Sequence, residues 1–198
     1  MEFLKTEEKI KRAAAKVFTQ KGYKETTTRD IAEAAQVKLG SLHYYFRSKE
    51  KLFQIVAEEA MKEFAQIMDV VFREDIPLKE KIRQYVEKYT DFFKENPFIP
   101  MFILSESERN PDNLYRLADF KSVDDRLRIQ LEEAIEAGEI RSISTEDFIA
   151  NLVGMTIFPF LSKRMMCYAA DLTSQQFDTM IDRRKELVPE MIISYLFK

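Results

Sequence analysis

Apolar positions recur with a helical period along almost the whole chain. Ile10, Ala13, Ala14, Val17 and Phe18 fall at i, i+3, i+4, i+7 and i+8, which predicts a helix over residues 6–21 with one apolar face. Glu7 and Glu8 suit its first turn and Gly22 is placed to end it. Thr27 with Asp30 three residues on has the spacing of a capping box, so a second helix starts there and buries Ile31, Ala32 and Ala35. A tight connection through Gln36, Val37 and Lys38 leads into a short third helix, 39–45, and Ser48 is placed to cap a fourth.

From Lys49 the helices are longer. Leu52, Phe53, Val56, Ala60, Phe64, Ile67, Met68, Val71 and Phe72 keep one face for about six turns. Pro77 opens a helix whose apolar side is Ile82, Tyr85, Val86, Tyr89, Phe92 and Phe93, and Asn96-Pro97 ends it. Shorter pieces over 98–120 are cut by Pro100 and Pro111, and an amphipathic helix over 123–137 stops at Gly138. Ser144 with Asp147 and Thr173 with Gln176 cap two last helices, one to about Ala170 and one to the C-terminus, with Pro159 and Pro189 inside them. About nine or ten helices and no strand make the fold class all-α: a three-helix N-terminal head, 1–48, and a larger helical body, 49–198.

Composition agrees with this. Four glycines and six prolines in 198 residues leave little for hairpins or phosphate-cradling loops. One cysteine, Cys167, excludes a disulfide framework, and one histidine, His43, leaves no metal site. The longest apolar stretch, 149–161, is broken by Asn151, Thr156 and Pro159 and is shorter than the roughly 18 residues of a membrane span. The start MEFLKTEEKIKR has no apolar core, so a cytoplasmic chain without membrane contact is expected. Charge is unevenly spread. Residues 1–53 hold twelve Lys and Arg against seven Asp and Glu, whereas the remainder has an acidic excess of eight. A basic head on an acidic body points to a polyanion met by the head alone.

Residues 28–46, TRDIAEAAQVKLGSLHYYF, make a helix, a short turn and a second helix, with Ala32 and Ala35 where the two cross closely. On the second helix Leu42 and Phe46 point inward, while Lys38, Ser41 and Tyr44 share the outer face and Gly40 permits close approach. This is the build of a helix-turn-helix whose second helix enters the DNA major groove.

The run TTTRDIAEAAQVKLGSLHYYFRSKEKLF resembles the N-terminal signature of TetR-family transcriptional regulators: a T-x-R-D-I-A helix, a short turn, a G-[ST]-[LI]-x-x-[YH]-F recognition helix and S-K-E. The resemblance covers about 50 residues; the rest fits the family in architecture. It implies DNA contacts from Thr28 and Arg29, from Lys38, Leu39, Gly40 and Ser41, from His43 and Tyr44, and a phosphate clamp at Lys49. Two positions depart from the family pattern. Gln36 stands where a glycine is usual, so a left-handed turn there is strained or altered. His43-Tyr44 reverses the commoner order.

The resemblance also implies a homodimer, a double-stranded operator and a small-molecule effector, with no cofactor. Large aromatics and methionines of the body, Phe64, Met68, Tyr85, Tyr89, Phe93, Met101, Phe102 and Phe158, are candidates to line an apolar effector pocket. The last two helices carry more apolar surface than one body needs. Leu152, Ile157, Phe160, Ile181, Leu187, Val188, Met191 and Tyr195 are therefore candidates for a twofold helical interface. A small helical enzyme is the first competing class, but no nucleophile–base–orienter set exists for it. A helical lipid-binding or adaptor protein with a vestigial head is the second. Glu132, Glu133 and Glu136 read as a solvated acidic face, and Ser105, Glu106, Ser107 and Glu108 as a polar helix end. The reading favoured is a ligand-responsive repressor and not an enzyme.

Overall fold

The computed structural model describes residues 5–73, 76–117 and 120–198; they form eleven helices and one isolated antiparallel bridge, Ile140 to Phe197. The chain is all-α, as expected.

The head is α1 (Thr6–Glu25), α2 (Thr28–Ala34) and α3 (Leu39–Phe46). Ile10, Ala14 and Phe18 of α1 bury against Ile31 and Ala32 of α2 and Leu42 and Phe46 of α3. Gly22 leaves helical geometry with φ 76°, as its position predicts, but helical turns resume beyond it to Glu25. The capping box at the start of α2 forms on both sides. Thr27 Oγ1 accepts from the Asp30 N–H at 3.2 Å, and Asp30 Oδ2 accepts from the Thr27 N–H at 2.8 Å. The Lys21 ammonium, 2.8 Å from Asp30, and the Thr27 donors hold the Asp30 carboxyl down at about 2. The box therefore stays ionised at any ordinary pH.

The turn after α2 settles the question raised by Gln36. Its N–H donates to Glu33 and the Val37 N–H to Ala32, both at 3.0 Å, the double bond of a Schellman ending. The residue between those bonds must be left-handed, and Gln36 has φ 54°. The same ending recurs after Glu136, where Gly138 fills the left-handed position with φ 71°. Gln36 therefore holds by force a conformation that Gly138 takes freely.

The body is α4 (Lys49–Arg73), α5 (Leu78–Glu95), α6 (Ile99–Arg109), α7 (Pro111–Leu117), α8 (Phe120–Glu136), α9 (Thr145–Leu161), α10 (Lys163–Ala169) and α11 (Ser174–Leu196). Helix α4 belongs to both units. Near its start Phe53 meets Phe18 edge-on with ring centres 5.0 Å apart, and also contacts Tyr23, Phe98 and Phe102. Further along, Phe64 stacks on Phe92 of α5 at 4.6 Å. The single helix expected over 144–170 is two, broken at Ser162. Pro159 has no N–H to give the Met155 carbonyl four residues back. Arg184 of α11 reaches across and donates to that carbonyl at 2.8 Å.

Replacing Gln36 by glycine removes the left-handed penalty without touching either turn hydrogen bond. Gln36→Gly is expected to raise unfolding stability by about 1 kcal/mol, read as a higher urea midpoint with an unchanged slope; a lower midpoint would contradict the strain.

Candidate functional site

The head presents a cationic surface organised by what its core withdraws. Leu42 and Phe46 are fully buried, which fixes the rotation of α3. Lys38, Gly40, His43 and Tyr44 are then exposed, with Leu39 and Ser41 half-buried beside them. Tyr44 is 82% exposed and stands edge-on against Tyr45 at 5.3 Å. A β-carbon added at Gly40 would meet nothing in the protein, so the fold itself does not require glycine there. Thr28 and Arg29 lie on the first turn of α2, Thr28 half-buried and Arg29 exposed. His43 Nδ1 lies 3.3 Å from the Arg47 carbonyl at the end of α3.

Several basic side chains of the head are committed internally. Lys11 binds Glu8 and Glu59, Arg12 binds Glu8, and Lys21 binds Asp30. Arg29 on the first turn of α2, and Lys38 and Arg47 at the two ends of α3, have no acidic partner among the described residues. The family pattern did not single out Arg47 or Tyr45, whose exposure follows from the turn that ends α3.

Lys49, the implied phosphate clamp, is half-buried at the start of α4. Its ammonium donates to the carbonyls of Tyr23 and Thr26, both at 2.9 Å, and lies 4.3 Å above the Tyr23 ring. Two of its three N–H donors thus tie the end of α1 to the start of α4.

In the body a cavity of about 310 Å³ lies among α4, α5, α8 and α9, with Ile103 and Tyr115 at its side. Phe64, Met68, Tyr85 and Tyr89 line it, in the positions expected. The other four candidates do not. Phe93 is sealed between Tyr89 and Phe160, and Phe102 packs on Phe53 at the head–body joint. Met101 and Phe158 face outward, 57% and 55% exposed. Sequence reasoning missed Met61, Phe72, Leu127, Ile149, Leu152 and Val153, whose apolar side chains look like any other core. Burial pushes the phenols of Tyr85 and Tyr89 well above their ordinary range, so both are neutral.

The expected interface residues divide by burial. Leu187, Met191 and Tyr195 are exposed on α11, and Ile157 and Phe160 are half-buried on α9. Leu152, Ile181 and Val188 are corrections: each is buried inside the protomer, Leu152 against the cavity, because the inward stripe of each helix is wider than a period count shows. Met165 and Tyr168 of α10 add exposed apolar surface that was not anticipated. Glu106, read as part of a polar helix end, is buried, whereas Glu132, Glu133 and Glu136 are exposed. No described helix is long and apolar enough to cross a membrane.

An outward-facing helix-turn-helix joined by one long helix to an all-helical body defines a DNA-binding regulator. Residues 10–56 match the family profile of bacterial regulatory proteins, tetR family. Over 147 residues the chain is 26% identical to the HTH-type transcriptional regulator YhgD of Bacillus subtilis, spanning 69% of this chain and 73% of that one. It is likewise 26% identical over 144 residues to the HTH-type transcriptional repressor NicS of Pseudomonas putida, spanning 72% and 68%. Its fold matches that of the transcriptional regulator FadR from Bacillus subtilis in complex with stearoyl-CoA, with a TM-score of 0.65, 22% identity and coverage of 94% and 97%. Residues 10–56 are thus a DNA-binding domain of the tetR family, and the chain as a whole shares the fold of such regulators.

The Lys49 ammonium keeps its charge and a third N–H. Lys49→Ala is therefore expected to weaken binding to every duplex and to make the dependence of log K on log salt shallower by about one; an unchanged slope would remove Lys49 from the phosphate contacts.

Proposed function

We propose that this protein is a ligand-responsive homodimeric repressor that reads a pseudo-palindromic operator. The observation that carries the reading is the joint use of α4: its first turns hold the DNA-binding head, and Met61, Phe64 and Met68 further along form a wall of the cavity. Residues 1–48 act as the reader and 49–198 as the effector and dimer unit. Helix α3 lies in the major groove, with Lys38, Gly40, Ser41, His43 and Tyr44 toward base edges and sugar-phosphate, and Thr28 and Arg29 on the adjoining backbone. Two heads placed about 34–36 Å apart meet successive half-sites.

The dimer seam runs along the exposed apolar edge of α9 and α11, where Leu187, Met191 and Tyr195 would otherwise remain in water. An apolar or amphiphilic effector fills the cavity and moves α4, so that the heads no longer fit the half-site spacing. Its effect equals the difference between its affinities for the two states. A repressor rather than an activator is supported by the name of the NicS relative.

Selection of bound duplexes from a random pool at two salt concentrations tests the reader. A palindrome bound more weakly at the higher salt is expected; no consensus at either salt would remove DNA reading from this head. The seam is tested by Leu187→Arg, which is expected to give a monomer in sedimentation and at least about a tenfold loss of operator affinity. A variant that remains dimeric would put the interface elsewhere.

A further inference from the structure

The cavity has an unusual inventory. Among its described lining residues there is no Asp, Glu, Lys, Arg or His, and the strongly polar side chains among them are three tyrosines. Tyr115, 43% exposed, stands at the open side. Tyr85 and Tyr89 are buried one helical turn apart on α5, with ring centres 5.0 Å from each other. The two phenols stand beside each other, and no other described residue offers either one a hydrogen-bonding partner.

That pairing cannot be complete. A phenol carries one O–H, so two phenols hold two donors, and only one of them can be used between the pair. One O–H is therefore left to find its acceptor among whatever the cavity holds, since a donor facing an apolar wall alone is unfavourable. An incoming oxygen with a free lone pair relieves it. An incoming charge fares worse: with no counter-charge in the wall, desolvation costs more than one phenol O–H returns.

We infer that the cavity binds an uncharged, mainly apolar molecule bearing one hydrogen-bond-accepting oxygen, which receives the free O–H of the Tyr85–Tyr89 pair. At roughly 30 Å³ for each non-hydrogen atom, the enclosed part of such a molecule has about ten of them. The inference rests on the cavity being the effector site proposed above.

Isothermal titration of the full-length protein with four compounds of matched size tests it: nonan-2-one, its isostere 2-methylnon-1-ene, octanoate and nonylammonium. Wild-type protein is expected to bind nonan-2-one, with both ions on the order of a hundredfold weaker at neutral pH. In the double variant Tyr85→Phe/Tyr89→Phe the ketone-to-alkene affinity ratio is expected to fall about three- to tenfold. Either single variant keeps the ratio, since the remaining phenol still donates. An ion that binds as well as the ketone overturns the inference using wild-type protein alone, whether or not the variants fold. An unchanged ratio in the double variant overturns the role of the phenols. Binding of none of the four overturns both the inference and the effector reading. Ketone binding that leaves operator affinity untouched overturns only the effector reading.

Discussion

The position of the recognition helix depends on one joint, where the end of α1 is fastened to the start of α4. The head by itself has a small core, because a chain of about 50 residues buries a smaller share of its surface than a larger domain does. It extends that core by borrowing Leu52, Phe53 and Val56 from the helix that leads into the body. The Lys49 ammonium closes the same joint from outside, capping two carbonyls that the end of α1 leaves open. Aromatic edges and charge-assisted hydrogen bonds are both directional, so head and body hold one relative orientation. Any displacement of α4 must therefore carry the head with it.

A second economy concerns charge. The basic excess of the head is not spread evenly over its surface. Lys11, Arg12 and Lys21 are neutralised by neighbouring carboxylates on the α1 side, and Lys49 donates to backbone. Arg29, Lys38 and Arg47 at the ends of α2 and α3 have no carboxylate partner among the described residues, and neither do Lys9, Lys16 and Lys24 of α1. A composition count places the charge in the head; the ion pairs remove only part of it.

Much of this was legible from residue spacing. The capping boxes at Thr27 and Thr173, the Gly22 break and the inward pair Leu42 and Phe46 are local features, decided within one or two turns. The failures share one cause, which is that a period shows which face of a helix is apolar but not what lies opposite. Phe93, Phe102, Met101 and Phe158 have the same chemistry as the true cavity residues and differ only in their neighbours. Leu152, Ile181 and Val188 were assigned outward because an apolar stripe does not announce its width. The end of α9 was missed because its compensation comes from Arg184, 29 residues away. The role of Lys49 was hidden in the same way, since its partners Tyr23 and Thr26 belong to another helix.

On the proposed function, the absence of charge among the described residues of the cavity wall separates the two inputs of the molecule. Attraction between the head and a polyanion follows counterion release and weakens with each increment of salt. Filling an apolar cavity with a neutral molecule involves no counterions, and its signature is a heat-capacity change. Ionic strength therefore sets how firmly DNA is held without entering the occupancy of the cavity, and temperature acts on that occupancy through a term the phosphate contacts lack. On the proposed function, one helix connects two equilibria that respond to different properties of the solution, so that the chemical signal is not confounded with the salt in which it arrives.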